Sequence, residues 1–356
     1  MKDKQKSFFT SQLNDWHSNV NRRSLPWKEE KDPYKIWLSE IILQQTRADQ
    51  GLKYYLSFTG TYPAICDLAN AKDEDAFRLW QGLGYYNRCK NMLATARFIC
   101  FELKGQFPSQ YEEILSLKGV GAYTAAAIAS FAFNLPHAVL DGNVYRVLSR
   151  YFGEETPIDT TDGKRLFATL AQELLNEENP AAHNQAIMDL GATVCTPKQP
   201  KCSECPLVKR CVAARDNLIH LLPVKSKKLK IQNRFFNFLV FQLGDEVWIE
   251  KRTEKGIWQN LHQFYLIESP ESVDKLALQE NLRLADLGTL IQKFEYSGKM
   301  KQQLTHQFIH SQFYTVQLSS KPLELSTSGF WVPVDQLKLY AFPKTLVDFL
   351  EASFHS

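Results

Sequence analysis

Four cysteines, Cys195, Cys202, Cys205 and Cys211, fall in one short segment with the spacing C-x6-C-x2-C-x5-C. Soft thiolates this close together suit a tetrahedral zinc or a four-iron cluster, and zinc ribbons usually present two C-x2-C pairs where this segment has one. Lys198, Lys201, Lys209 and Arg210 are interleaved with the cysteines. A centre that ties the thiolates together would present these cations on compact loops, for which phosphate is the natural counterpart. The other cysteines, Cys66, Cys89 and Cys100, are scattered through helix-like sequence. They read as buried apolar side chains.

Two carboxylates have settings that bear on proton chemistry. Asp32-Pro33 starts a helix expected to run to about Gln50, and its spacing places Ile36, Glu40, Leu43 and Arg47 on one stripe. A Glu interrupting an apolar face is held protonated near neutral pH if buried, as a general acid must be; paired with a basic neighbour it is an ordinary surface residue. Asp141 follows Ala138-Val139-Leu140 and precedes Gly142-Asn143-Val144. There it is either a plain N-cap or a carboxylate kept ionised by helix amides. One protonated and one ionised carboxyl is the division of labour that cleaving a glycosidic bond requires.

Leu117 to Ala125 joins two helices through Gly119-Val120-Gly121. Glycines allow left-handed backbone and let amides approach an anion, so the turn is either a phosphate cradle or a plain corner with glycine caps. The flanking elements are helical throughout residues 8 to 215, with Ser109 and Glu112 expected to form a capping box for a helix ending at Lys118-Gly119. The tract 223–231 carries Pro223, Lys225, Lys227, Lys228 and Lys230 and reads as a solvated linker. Beyond it, Phe235–Leu243, Val247–Glu250 and Phe308–Leu318 read as strands, and Ser272–Leu284 and Thr345–Ala352 as helices. The expectation is an all-α domain, 1–222, containing the cysteine segment 195–211, a linker, and an α+β domain, 232–356.

Composition sets bounds on function without choosing one. The 356 residues are 44% hydrophobic and 23% charged, which excludes a disordered or collagenous chain. The net charge is only +3, and residues 1–224 hold 26 basic against 25 acidic residues, so affinity for a polyanion must come from placement. No apolar run suits a secretory signal or a membrane span. A reducing, cytoplasmic setting associated with the nucleoid is expected.

Taken together, these motifs resemble the adenine DNA glycosylases of the MutY family. Leu25-Pro26-Trp27, the string Trp37–Thr46, Gln81 to Arg88, the Gly119–Gly121 hairpin, Leu140 to Val144 and Asn184-Gln185-Ala186 occur in the family's order across residues 8 to 215. The x6-x2-x5 cysteine spacing is similar to the iron–sulfur loop that closes this domain in MutY and endonuclease III. The resemblance implies a helix-hairpin-helix glycosylase fold, a [4Fe-4S] cluster on Cys195, Cys202, Cys205 and Cys211, and removal of adenine mispaired with 8-oxoguanine or G in double-stranded DNA, by a monomer with no membrane partner. Glu40 then corresponds to the acid that protonates adenine and later activates water. Asp141 corresponds to the partner of the sugar cation, with Asn143 beside it. Arg23, Trp27, Leu43, Gln185 and Met188 fall where the family lines its adenine pocket. Gln45, with Thr46 beside it, and Tyr85, with Leu83 beside it, match residues that wedge into the duplex, and the amides of Gly119, Val120 and Gly121 match those that grip a phosphate. Tyr123 stands where the endonuclease III lyases, the alternative reading, carry a lysine. A phenol cannot form their Schiff base, so a monofunctional enzyme that leaves an abasic site is implied.

Gly256 to Leu261, between strand-like runs, is similar to part of the Nudix fold that the family uses as its C-terminal domain. No R-E-x-x-E-E pattern lies between Ser269 and Phe294, so a reader of the lesion rather than a pyrophosphatase is expected. Leu304-Thr305-His306 occupies the place of the family's 8-oxoguanine loop. Thr305 and His306 keep a hydroxyl and an imidazole, and Leu304 replaces the aromatic ring that often leads that loop.

Overall fold

A computed structural model describes residues 3–226, 231–284, 287–322, 325 and 328–354. The chain divides into two compact units, Met1–Asn70 with Asn91–Lys228, and Ala71–Lys90 with Leu229–Ser356. Helices α1 (Asp3–Asn19), α2 (Pro33–Leu43), α3 (Ala48–Thr61), α4 (Ile65–Ala69), α5 (Asp73–Leu79), α6 (Asn87–Arg97), α7 (Tyr111–Ser116), α8 (Ala122–Phe133), α9 (Gly142–Phe152), α10 (Thr161–Leu174), α11 (Pro180–Thr193) and α12 (Val212–Arg215) precede the first strand. Among the described residues, none of the helices is long and apolar enough to cross a membrane.

Local chemistry explains the helix limits that matter for the site. Asp32 caps α2 by accepting from the Tyr34 amide at 2.9 Å, with Pro33 at the first helical position. The helix stops at Leu43, well short of the expected Gln50, because the chain turns through Gln45 at φ +57° before α3 begins at Ala48. Arg47 therefore leaves the Ile36–Glu40–Leu43 stripe and pairs with Asp49 at the surface. The helix expected after Ser109 begins at Tyr111 and ends at Ser116, its N-cap Gln110 makes no side-chain capping bond, and the capping box does not form. A short π-helical turn, Phe98–Glu102, extends α6, and its Cys100 is disulfide-bonded to Cys66 of α4. That pairing replaces the expected pair of isolated thiols; α4 packs on the π turn and brings Cα atoms 34 residues apart in sequence to 5.2 Å. Cys89 is a buried free thiol as expected.

In the first unit α9 packs on α11, α1 on α11 and α2 on α8. Phe9 and Leu13 of α1, Val147 and Leu148 of α9, Phe167 of α10 and Leu190 of α11 share one core. Truncating such a fully buried phenylalanine costs about 3–5 kcal/mol, so this core is what holds the site-bearing helix starts together. The expected linker is not wholly solvated: Val224 O accepts from the Ile158 amide at 3.0 Å and the Ser226 amide donates to Asp159 at 2.8 Å. Its residues 227–230 lie outside the described residues.

The second unit is built on strands β1 (Gln232–Leu243), β2 (Glu246–Lys251), β3 (His262–Gln263), β4 (Tyr265–Ser269), β5 (Ile291–Gln303), β6 (Gln307–Leu318) and β7 (Gly329–Pro333), with α13 (Lys275–Leu284) and α14 (Lys344–Phe354). The sheet order is β3-β2-β1-β6-β5, with β4 on β1 and β7 on β2; β1 and β6 run parallel and carry the buried pair Phe238 and Phe313, stacked at 5.3 Å. Residues 71–90 belong to this unit through Glu74, which meets Lys251 at 3.1 Å, and through the Phe342 backbone, which donates to Gln81 at 3.4 Å and accepts from Tyr86 at 3.5 Å.

Candidate functional site

The first unit brings Glu40 of α2, Tyr123 of α8 and Asp141 at the start of α9 to one place. Glu40 is 6% exposed, and burial pushes its carboxyl up to about 7; the Asp141 charge adds to the rise and a hydrogen bond from the Tyr123 hydroxyl opposes it. Burial and the two carboxylates keep the Tyr123 phenol well above its ordinary range, and its hydroxyl also lies 3.6 Å from Met188 Sδ. Asp141 is the α9 N-cap, accepting from the Asn143 and Val144 amides at 2.8 Å and from Asn143 Nδ2 at 2.7 Å. Its carboxyl is raised rather than lowered, because burial outweighs these donors and Arg146. The bonds nonetheless equip Asp141, of the two, to carry the negative charge.

Arg146, which sequence reasoning overlooked, sits one turn after Asn143 and is 8% exposed. It donates to Asn143 Oδ1 at 2.8 Å, Gly142 O at 3.2 Å, Gly191 O at 2.6 Å and Cys195 O at 2.6 Å. One guanidinium thus ties the Asp141–Asn143 cap to the start of the cysteine segment. Gly191 permits the close approach of α11, since a Cβ there would stand 2.6 Å from Asn143 Cβ. Replacing Arg146 with Leu strands these buried acceptors and frees Asn143. The expected result is a loss of roughly 3 kcal/mol in unfolding free energy and about a tenfold slower reaction. Thermal melts and single-turnover rates check it, and a variant as stable and as fast as the parent would sink the bridge.

The five expected pocket residues also belong to this unit. Trp27 packs edge-on against Tyr55 at 5.3 Å, and Leu43 Cδ2 fills the space beside Gly51, 2.7 Å from where a Cβ would stand. Arg23 and Gln185 both bond the buried carboxylate of Asp189, at 2.8 and 3.2 Å. Asp189 was not singled out from sequence, where its lone position in the apolar run of α11 was the available signal.

Cys195, Cys202, Cys205 and Cys211 are free thiols lining one largely apolar cavity with Val194, Val208 and Arg150. Among the described residues no three His, Cys, Asp or Glu groups converge as a single-ion site. Burial and mutual proximity push Cys205 up to about 12 and raise Cys202 and Cys211. Four soft donors crowded into an apolar cavity suit a cationic centre that accepts thiolates, and this donor set fits an iron–sulfur cluster. Arg150, 3% exposed, braces the wall through Thr196 O at 2.8 Å, Pro197 O at 2.9 Å and Cys195 Sγ at 3.5 Å. Of the loop cations, Lys198 and Lys209 are exposed and Lys201 pairs with Glu204 at 3.7 Å. Arg210 is turned onto α1, 2.6 Å from Lys4 O and over the Phe8 ring, and does not join them.

At the hairpin only Gly119 needs glycine: its φ is +81° and a Cβ would stand 2.9 Å from Asn91 Cβ. Gly121 is extended at φ −102°, with nothing within 4 Å of a Cβ, and opens α8 as its N-cap. Val120 is buried and its amide is spent on Leu117 O at 3.1 Å, so it offers no donor to an anion. Gln45 is exposed with φ +57°, and Thr46 is partly buried with its amide on Leu43 O. In the second unit Tyr85 is 47% exposed with φ +48°, whereas Leu83 is buried and is not presented as a wedge. Thr305 and His306 are exposed on the β5–β6 hairpin loop, where the Thr305 and Tyr85 hydroxyls share a hydrogen bond.

Two family models match the chain. Residues 38–174 match the HhH-GPD superfamily of base excision DNA repair proteins, and residues 237–352 match the NUDIX domain. The adenine DNA glycosylase of Buchnera aphidicola subsp. Schizaphis graminum is 38% identical over 256 residues, 72% of this chain and 74% of the relative. That of Buchnera aphidicola subsp. Baizongia pistaciae is 34% identical over 339 residues, 94% and 88% of the two chains. The chain belongs to the adenine DNA glycosylase family. It is a base excision repair enzyme acting on N-glycosyl bonds, a helical glycosylase domain joined to a Nudix-like one. Among solved structures, a thermostable thymine-DNA glycosylase is 30% identical with TM-score 0.56, covering 60% of this chain and 98% of that one. A non-covalent endonuclease III–DNA complex, 19% identical with TM-score 0.53 over 61% and 99%, shares the fold of the glycosylase domain.

Proposed function

We propose that this adenine DNA glycosylase removes adenine paired with 8-oxoguanine or with G in duplex DNA, and that it is monofunctional and leaves an abasic site. The observation that carries the reading is the Glu40–Tyr123–Asp141 constellation: one carboxyl poised near 7, a neutral phenol, and one carboxylate with three donors. Glu40 gives its proton to adenine N7, the C1′–N9 bond breaks with its electron pair leaving on the base, and Asp141 faces the sugar cation. Glu40, now ionised, takes a proton from the attacking water. Tyr123 holds Glu40 in place and supplies no amine for an imine. The extruded adenine is read by Arg23, Trp27, Leu43, Gln185 and Met188, while Gln45 and Tyr85 fill the stack and Thr305 and His306 meet the lesion. Thr46 and the open amides at Gly119 and Gly121, with Lys198 and Lys201, bind phosphates.

Cys195, Cys202, Cys205 and Cys211 would hold a [4Fe-4S] cluster through their thiolates, and its irons would supply the acceptor centres that cross-link this segment. The chain's own contribution is to fix the segment through Arg146 and Arg150 and to display Lys198 on its surface.

The test is incubation with duplexes holding A opposite 8-oxoguanine, A opposite G, or thymine glycol, with and without alkali, plus borohydride trapping. Alkali-dependent strand scission of the first two supports the reading. Absence of base loss from both, or a major trapped crosslink, overturns it. The rate should also fall as pH rises through about 7, where Glu40 loses its proton, and fall again at acid pH where Asp141 gains one. Single-turnover rates across the pH range decide this, and a rate that climbs through pH 8 (about one unit above the Glu40 midpoint) would count against Glu40 as the acid.

A further inference from the structure

Asp189 lies on α11 with its side chain fully buried, yet it carries a carboxylate with four donors around it. Oδ1 accepts from Arg23 Nη1 at 2.8 Å and Gln185 Nε2 at 3.2 Å; Oδ2 accepts from Lys28 Nζ at 2.5 Å and Asn21 Nδ2 at 2.7 Å. A carboxylate offers about four lone-pair sites, so these donors use its capacity and it has none left for a ligand. Two cations neutralise it, which is what a buried charge requires. Its influence must therefore pass through the side chains it holds.

The chemistry of the acceptor dictates what those side chains present. Because an ionised carboxylate only accepts, Gln185 must turn its NH2 toward Asp189 and its Oε1 the other way. Arg23 spends one Nη on Asp189, and among the described residues its Nε and Nη2 have no protein acceptor. Adenine offers a 6-amino donor and ring-nitrogen acceptors, whereas hypoxanthine and guanine carry an acceptor at position 6. We infer that Asp189 is a positioning residue that locks the Gln185 amide with its oxygen toward the 6-amino group, and Arg23 with donors toward a ring nitrogen, so that the pocket selects 6-aminopurines over 6-oxopurines. This rests on the reading of Arg23 and Gln185 as adenine-pocket residues.

The experiment compares single-turnover release of adenine and of hypoxanthine, each opposite 8-oxoguanine, per active molecule, together with the dissociation constant for an abasic duplex and the melting temperature. Asp189→Asn can donate to Gln185 and frees its amide to flip. It should slow adenine release roughly 10- to 100-fold, with hypoxanthine release nearly unchanged and the abasic duplex bound as before, so that the ratio of the two rates collapses. The swap Asp189→Asn with Gln185→Glu places an acceptor-only group at 185 and a donor behind it, and should restore most of the ratio. A purely structural role would lower the melting temperature and leave the ratio intact, and that result overturns the inference, as does a swap that restores nothing. Should Asp189→Asn not fold, Gln185→Leu reads the same ratio at a partly exposed position, and an unchanged ratio there is equally fatal. Failure of the unmodified enzyme to release adenine would instead refute the underlying pocket reading.

Discussion

Glu40→Gln should release adenine at least about 10²- to 10⁴-fold more slowly than the parent enzyme, and at pH above about 7 it should be the more stable protein. The first half follows from chemistry. A carboxamide has no proton to give N7 and no basicity to activate water, while its oxygen still accepts from Tyr123, so geometry survives and catalysis does not. The second half follows from linkage. The Glu40 carboxyl is raised from 4.5 to about 7 by burial, so the folded state binds more protons than the unfolded one between those values. Its favourable contribution is complete below about 4.5 and is lost as pH rises through about 7, which amounts to roughly 3 kcal/mol. The neutral amide avoids that loss. Melting curves at pH 5 and 8, about either side of the folded midpoint, and single-turnover rates on an A:8-oxoguanine duplex measure both halves. A variant that retained activity would remove Glu40 from the mechanism, and one that lost activity and stability together would point to a disrupted site instead.

Asp141→Asn should cost about 10²- to 10³-fold in rate while leaving binding of an abasic duplex within a few-fold of normal. The introduced amide oxygen can still accept from the Asn143 and Val144 amides, so the α9 start persists. What disappears is the full negative charge that faces the developing sugar cation, in a site whose burial makes that charge count. Two amide NH2 groups then meet where Asn143 Nδ2 had donated to Oδ2, which costs about 1 kcal/mol of stability. The comparison of rate against duplex affinity is decisive. Equal losses in both would make Asp141 a structural cap, the plain N-cap reading of the sequence.

These two carboxylates also mark how far sequence reasoning reached. Both could be singled out because a Glu on an apolar helix face and an Asp at a helix start are local patterns, and so are the cysteine spacing, the glycine hairpin and the change from helical to strand-like periodicity after the linker. The α2 end is not legible in the sequence because nothing in Gln44-Gln45-Thr46 breaks a helix by composition; the chain turns at Gln45 with φ +57°, and α3 packs against α2. The same holds for Ser109, whose capping pattern the fold does not use.

By itself, the sequence determined the helical and α+β halves and the four-thiol segment and marked Glu40 and Asp141 as candidates, because each depends on residue type and short-range spacing; Tyr123 stood out only through the family resemblance. Tertiary structure alone decided the disulfide Cys66–Cys100, the upward shift of Asp141, the Arg146 tie from Asn143 to Cys195, and the Asp189 clamp on Arg23 and Gln185. Each of these needs groups from separate helices brought within a few ångströms, and buried, where the loss of water sets the protonation state and the need for a partner.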